Sequence, residues 1–181
     1  MSDVVAVWEV PLSDKVHKVE FEHGTTTGKR VVRVDGEEVA RHDWMFKLVG
    51  TETFDIGSAK CVIALRAVSG FTYQYSLSVN GKQLAKFKER QSKILNTWIV
   101  NVLGEPTRIV LEKDTLDIYI NGDMAETVSE FVDDGMEMNF TIGPYEASIK
   151  AMSSGSKREG ILHSLIVDGQ VIPESRDIVN S

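Results

Sequence analysis

Phe54-Asp55-Ile56-Gly57 and Phe140-Thr141-Ile142-Gly143 stand at equivalent places in the two halves of this chain, and the residues after each of them also match. After the first, Cys61, Ile63, Leu65 and Ala67 alternate with Lys60, Val62, Ala64 and Arg66. After the second, Tyr145, Ala147, Ile149 and Ala151 alternate with Glu146, Ser148 and Lys150. A period of two is the mark of a strand with one buried and one wet face, as in antiparallel sheets open to water on one side. Further along, Tyr73, Tyr75, Leu77 and Val79 are answered by Ile161, His163, Leu165 and Val167. Working outward, Val34-Asp35-Gly36 answers Ile120-Asn121-Gly122, Val79-Asn80-Gly81 answers Val167-Asp168-Gly169, and Trp8 answers Trp98. Asp-Gly and Asn-Gly tolerate the positive φ of tight hairpin turns. A long period repeated only twice describes two copies of one compact unit, whereas solenoids and propellers use shorter periods and more copies.

The fold class is therefore all-β: two consecutive related antiparallel β-sandwich domains of seven to eight short strands each. Their expected limits are residues 1–90 and 91–181, sizes that bury a core without metals or disulfides. Only Lys82 to Ile94 looks helical, with Leu84, Phe87, Gln91 and Ile94 roughly in phase; it is basic and closes the first domain. Cys61 is the single cysteine of 181 residues, which excludes an internal disulfide and fits a reducing compartment. No basic leader, long apolar run or lipidation box is visible, so the expected location is the cytoplasm. Net charge is −7. Residues 1–90 hold 13 Lys+Arg against 12 Asp+Glu, and residues 91–181 hold 7 against 15. An acidic second half repels phosphate backbones and anionic membranes, so neither nucleic acid nor membrane is an expected partner.

Each chemical candidate meets a plainer reading. Gly24-Thr25-Thr26-Thr27-Gly28-Lys29-Arg30 lacks the spacing, the Ser/Thr and the following helix of a phosphate loop, and reads as a hairpin loop. Asp133-Asp134-Gly135, near Glu126, Glu130 and Glu137, lacks the ligand spacing of a calcium loop and reads as an acidic turn or partner-facing patch. Cys61 shares a face with Ile63 and Leu65, which suits a buried thiol better than a nucleophile. His17, His23, His42 and His163 show no metal spacing, and His163 reads as a hydrogen-bonded core residue. Trp8, Trp44 and Trp98 read as packing residues. Surface residues that remain as partner-binding candidates are Lys86, Lys88 and Arg90, the pair Asp133 and Asp134, and Lys157 with Arg158 in the Ser154–Gly160 loop. No catalytic residue, cofactor or metal is nominated.

The chain resembles the Fas apoptotic inhibitory molecule family. The blocks that carry this are His17 to Thr26, Gly28 to Val32, Trp44 to Gly50 and Ser69-Gly70-Phe71 in the first half. In the second they are Asn96-Thr97-Trp98, Arg108 to Asp114, Glu130 to Gly135, Ile149-Lys150-Ala151, Ser153-Ser154-Gly155 and Leu165 to Asp168. The resemblance implies two all-β domains, the second a seven-stranded sandwich of unusual strand order. It also implies a non-enzymatic cytosolic regulator that inhibits death-receptor (Fas) mediated apoptosis and restrains aggregation of misfolded or ubiquitinated proteins by direct binding. Its partners would be proteins: death-receptor or NF-κB pathway components and misfolded clients. The alternative is a signalling adaptor with one fixed folded partner, of the NF-κB or neurite-outgrowth type. More distant is an enzyme using Cys61.

Overall fold

The computed structural model describes residues 4–175 apart from Phe71, Ser156, Arg158 and Glu159. The chain divides into two compact units, the first comprising the residues up to Leu12 with Val16–Gln91, the second Ser13–Lys15 with Ser92 onward. In the first unit β1 (Val4–Pro11), β2 (Val16–His23), β3 (Arg30–Val34) and β4 (Glu37–His42) form one sheet in chain order. A second sheet holds β5 (Gly50–Ile56), β6 (Ala59–Ser69), β7 (Thr72–Val79) and β8 (Lys82–Gln83), again in chain order. The helix α1 (Leu84–Ile94) follows. In the second unit β9 (Leu95–Val102), β10 (Glu105–Glu112), β11 (Asp117–Ile120) and β12 (Asp123–Met124) pair in sequence. The other sheet runs β13 (Val128–Val132), β14 (Gly135–Ile142), β15 (Tyr145–Ser153), β16 (Ile161–Val167) and β17 (Gln170–Ile172).

Each unit is a sandwich, because each core draws on both of its sheets. Val10, Val19, Phe21 and Val32 from one sheet meet Phe54, Ile56, Cys61, Ile63, Leu65, Leu77 and Val79 from the other. In the second unit Trp98, Val100, Ile109, Leu111 and Ile118 meet Met138, Phe140, Ile142, Ile149, Leu165 and Val167. The alternation read from sequence therefore marks the inner faces. Phe87 and Gln91 are the buried residues of α1, one turn apart on its inner side, and Gln91 Nε2 donates to the Pro11 carbonyl at 3.0 Å.

The two-residue turns explain why the repeat is so legible. Asp35, Asn80, Asn121 and Asp168 have φ of 53°, 50°, 48° and 49°, and the glycine after each is also at positive φ. Two successive positive φ values match the right-handed twist of a hairpin. The Asp35, Asn80 and Asn121 side chains each accept a backbone N–H from the neighbouring strand, of Lys18, Lys60 and Arg108, at 2.9 Å.

Two differences from the sequence reading concern the second unit, one its strand number and one its strand order. Among the described residues the second unit has nine strands in meander order, two of them the short returns β12 and β17, against the expected seven to eight and the implied seven of unusual order, and the first has eight. Their difference is β13: where the first unit runs the irregular segment 43–49 between β4 and β5, the second places a strand. Trp44 sits in that irregular segment, off any strand face, so it does not pack in a core. It is 58% exposed and stacks edge-on with Phe46 at 4.5 Å.

Candidate functional site

Cys61, His17 and His23, three of the groups that chemistry would need, are closed or committed. Cys61 is 1% exposed, and burial, with Asp55 nearby, pushes its thiol up to about 11, so it stays protonated at neutral pH. His17 Nδ1 lies 2.6 Å from Asp35 Oδ2. His23 Nδ1 lies 2.6 Å from the Tyr75 hydroxyl, and its ring stands edge-on to Tyr73 and Tyr75. Burial and the Arg30 cation hold His23 below its ordinary value. His163 is half-buried beside Ala151 on β15 and makes no side-chain hydrogen bond among the described residues. Burial, followed by Lys113, lowers its pKa. No group of three His, Cys, Asp or Glu side chains gathers in metal-holding range among the described residues, and no described helix is long and apolar enough to cross a membrane.

Arg30 is buried and organises a loop. It pairs with buried Glu52 at 3.1 Å and donates to the carbonyls of Lys47 at 3.0 Å and Val49 at 2.9 Å. Gly28 supports the same loop from below: it has φ of 73°, and a Cβ there would lie 2.5 Å from the Met45 carbonyl oxygen. The loop that carries Trp44 and Phe46 is thus tied down at its backbone while its rings face solvent.

The surface candidates read from sequence occupy separate places. Lys86 and Arg90 are exposed on α1, Lys88 is half-buried there, and Lys86 lies 3.6 Å from Glu89. Asp133 and Asp134 are the exposed two-residue turn between β13 and β14. Lys157 is exposed in the loop closed by Ser154 N–H and hydroxyl on the Gly160 carbonyl. Arg158 lies outside the described residues. No two of these three groups share an element.

The feature missed from sequence is the edge strand β13. A sheet edge offers unpaired N–H and C=O groups, and proteins blunt such edges with charge, bulges, shortness or cover. The other edges here carry such devices. β8, β12 and β17 are two or three residues long. β1 has a register irregularity at Val4/Ala6, and β4 carries Arg41 clamped between Glu38 and Asp43. β5 turns charged Glu52 inward, and β9 is bridged at Thr97 by Ser175. β13 is five residues long, fully exposed, with Glu130 its only charge; Val128 is 66% and Phe131 92% exposed. Beside it lies a groove of about 880 Å³ lined in part by Glu126, Val128, Glu130, Asn139, Thr141 and Glu146. The sequence signal was the run Val128-Ser129-Glu130-Phe131-Val132, which lacks the Lys or Pro that usually guards an edge.

Comparison with known proteins adds family membership to this geometry. The Fas apoptotic inhibitory molecule (FAIM1) family model matches residues 4–175. Fas apoptotic inhibitory molecule 1 of Bos taurus is 61% identical over 176 residues, spanning 96% of this chain and 88% of the relative. Its namesake in Homo sapiens is 58% identical, over 96% of this chain and 98% of the relative. The Mus musculus protein of that name is 57% identical with the same coverage.

Proposed function

The chain belongs to the Fas apoptotic inhibitory molecule family, and from that premise we propose that it inhibits death-receptor-mediated apoptosis in the cytoplasm by binding proteins, without catalysis. The observation that carries this is the extent of the match, which runs through both units and nearly the full length of the relatives. Restraint of aggregation belongs to the same reading. Its physical support is the open edge of β13, since strand addition captures extended chain through backbone hydrogen bonds. The shut Cys61 thiol supports binding over catalysis.

Two assays test the proposal. Cells depleted of their own family member and supplied with this chain should survive death-receptor ligand better than cells given empty vector; equal killing removes the apoptotic role. Light scattering from a heat-unfolding client should fall when the purified chain is added below equimolar ratio. Unchanged scattering removes the aggregation role.

The adaptor reading has one observation in its favour. Aromatic anchors on a backbone held in place suit a fixed folded partner, because little entropy is lost on docking. Trp44 and Phe46 meet that description. Under this reading Phe46→Ala would abolish one defined complex in a pull-down and leave client scattering as in the unaltered protein.

A further inference from the structure

We propose that β13 accepts an extended stretch of an unfolded protein chain as a sixth strand of its sheet, and that it selects stretches in which a basic residue is flanked two positions away on each side by apolar residues. This rests on the aggregation-restraint reading above and names the segment it would capture.

The selection follows from register. Ser129 stands opposite Met138, Met138 opposite Ile149 and Ile149 opposite Leu165, the last three all in the core. Side chains alternate, so Ser129 and Phe131 lie on the core side and Val128, Glu130 and Val132 on the outer side. The outer row through the middle of the strand reads Lys150, Glu137, Glu130 from β15 to the edge. Glu130 and Glu137 are like charges directly opposite each other, an arrangement that destabilises a strand pair. A cation on the next strand, opposite Glu130, relieves it. On either side of that position the outer neighbours are Val128 and Val132, which favour apolar partners.

The surroundings agree in sign. Glu126 and Glu146 line the groove beside Glu130, no Lys or Arg lines it, and none of these three carboxylates is in an ion pair among the described residues. Asp133 and Asp134 close the far end of the strand. An incoming segment with an acidic centre would add a third carboxylate to the row and be rejected. Apolar contact supplies the grip, backbone pairing the geometry, and the row of carboxylates the choice.

The test uses the full chain and two labelled peptides of about ten residues, a strand's length. One carries Lys flanked by Val at the second position on each side, the other Glu in place of the Lys. Fluorescence anisotropy should show the Lys peptide binding about tenfold more tightly, since the pair changes from attraction to repulsion. Glu130→Lys, at an exposed position that leaves the fold intact by circular dichroism, should reverse the preference. Glu37→Lys on the blunted edge β4 should change nothing. Equal binding of the two peptides, binding of neither, or a preference that survives Glu130→Lys overturns the proposal. Client scattering separates it from its premise. If the unaltered chain suppresses the scattering of a basic client and Glu130→Lys suppresses it equally, this site falls and the aggregation reading stands. If the unaltered chain suppresses nothing while the Lys peptide binds, unfolded chain is the wrong occupant and the proposal falls with its premise.

Discussion

Arg30 does three jobs at 3% exposure: it neutralises Glu52, and it ties down the carbonyls of Lys47 and Val49. Removing one member of a buried ion pair strands the other's charge and typically costs about 3–5 kcal/mol. Arg30→Met should therefore destabilise the first unit by that order, seen as a lower urea midpoint at unchanged slope, and should alter Trp44 emission before unfolding begins because the loop is untied. The pair Arg30→Met with Glu52→Leu should recover most of the loss; failure to recover would mean that loop anchoring, not charge, dominates. Next to Arg30, His23 sets a pH dependence. Its folded pKa is lowered by burial and by Arg30, with the Tyr75 and Tyr73 rings completing its surroundings. The unfolded chain then binds the proton more readily than the folded one. Stability is complete above the ordinary value of 6.5 and falls as pH drops below it. Midpoints compared at about pH 7.5 and about pH 5.5, a span in which histidine is the main side chain to titrate, should show the drop. His23→Gln should shrink it, leaving the share of His163, whose pKa is lowered in the same sense. An unchanged drop would rule out His23 as its source.

At the scale of elements, what was legible came directly from side-chain period and turn chemistry. Cys61, Ile63 and Leu65 point inward as their alternation requires, and the four Asx-Gly pairs turn where positive φ is needed. Phe87 and Gln91 betrayed the inner side of α1 by their spacing. The loop around Trp44 was opaque, because aromatic composition suggests burial and only Arg30, far away in sequence, shows why the rings stay outside. The strand β13 was opaque for another reason. Its five residues carry β propensity, but whether they face a core depends on which strands pair with them, and pairing with β14 alone leaves all five wet. That pairing hinges on Gly135, where the β13–β14 turn meets β15. A Cβ there would lie 1.9 Å from the Ala151 carbonyl oxygen, backbone that cannot step aside. Gly135→Ala should consequently destabilise the second unit by about 3 kcal/mol, the upper range for overpacking, and amide exchange should accelerate first in β13 and β14. Protection unchanged in those strands would show that the hairpin tolerates a shifted register.

For the molecule as a whole, two units alike in strand order but for β13 also differ in charge, with a balance of +1 over residues 1–90 and −8 over residues 91–181. The halves also differ in how they treat the place between their sheets, a tied aromatic loop in one and an open acidic edge in the other. If capture of unfolded chain relied on apolar contact alone, raising salt would leave it unchanged or strengthen it, because burial of apolar surface is not screened. If the acidic half draws in basic segments, salt must weaken it. Going from about 0.1 M to about 1 M salt shortens the screening length from about 10 Å to about 3 Å. Suppression of client scattering by the full chain should decline across that range, and should decline further for a basic client than for an acidic one of similar unfolding temperature. Added salt also changes how clients aggregate by themselves, so each value is taken as a ratio to the client without the chain. A ratio that holds steady or improves with salt for the basic client would separate capture from charge, and the acidity of the second half would then serve solubility instead.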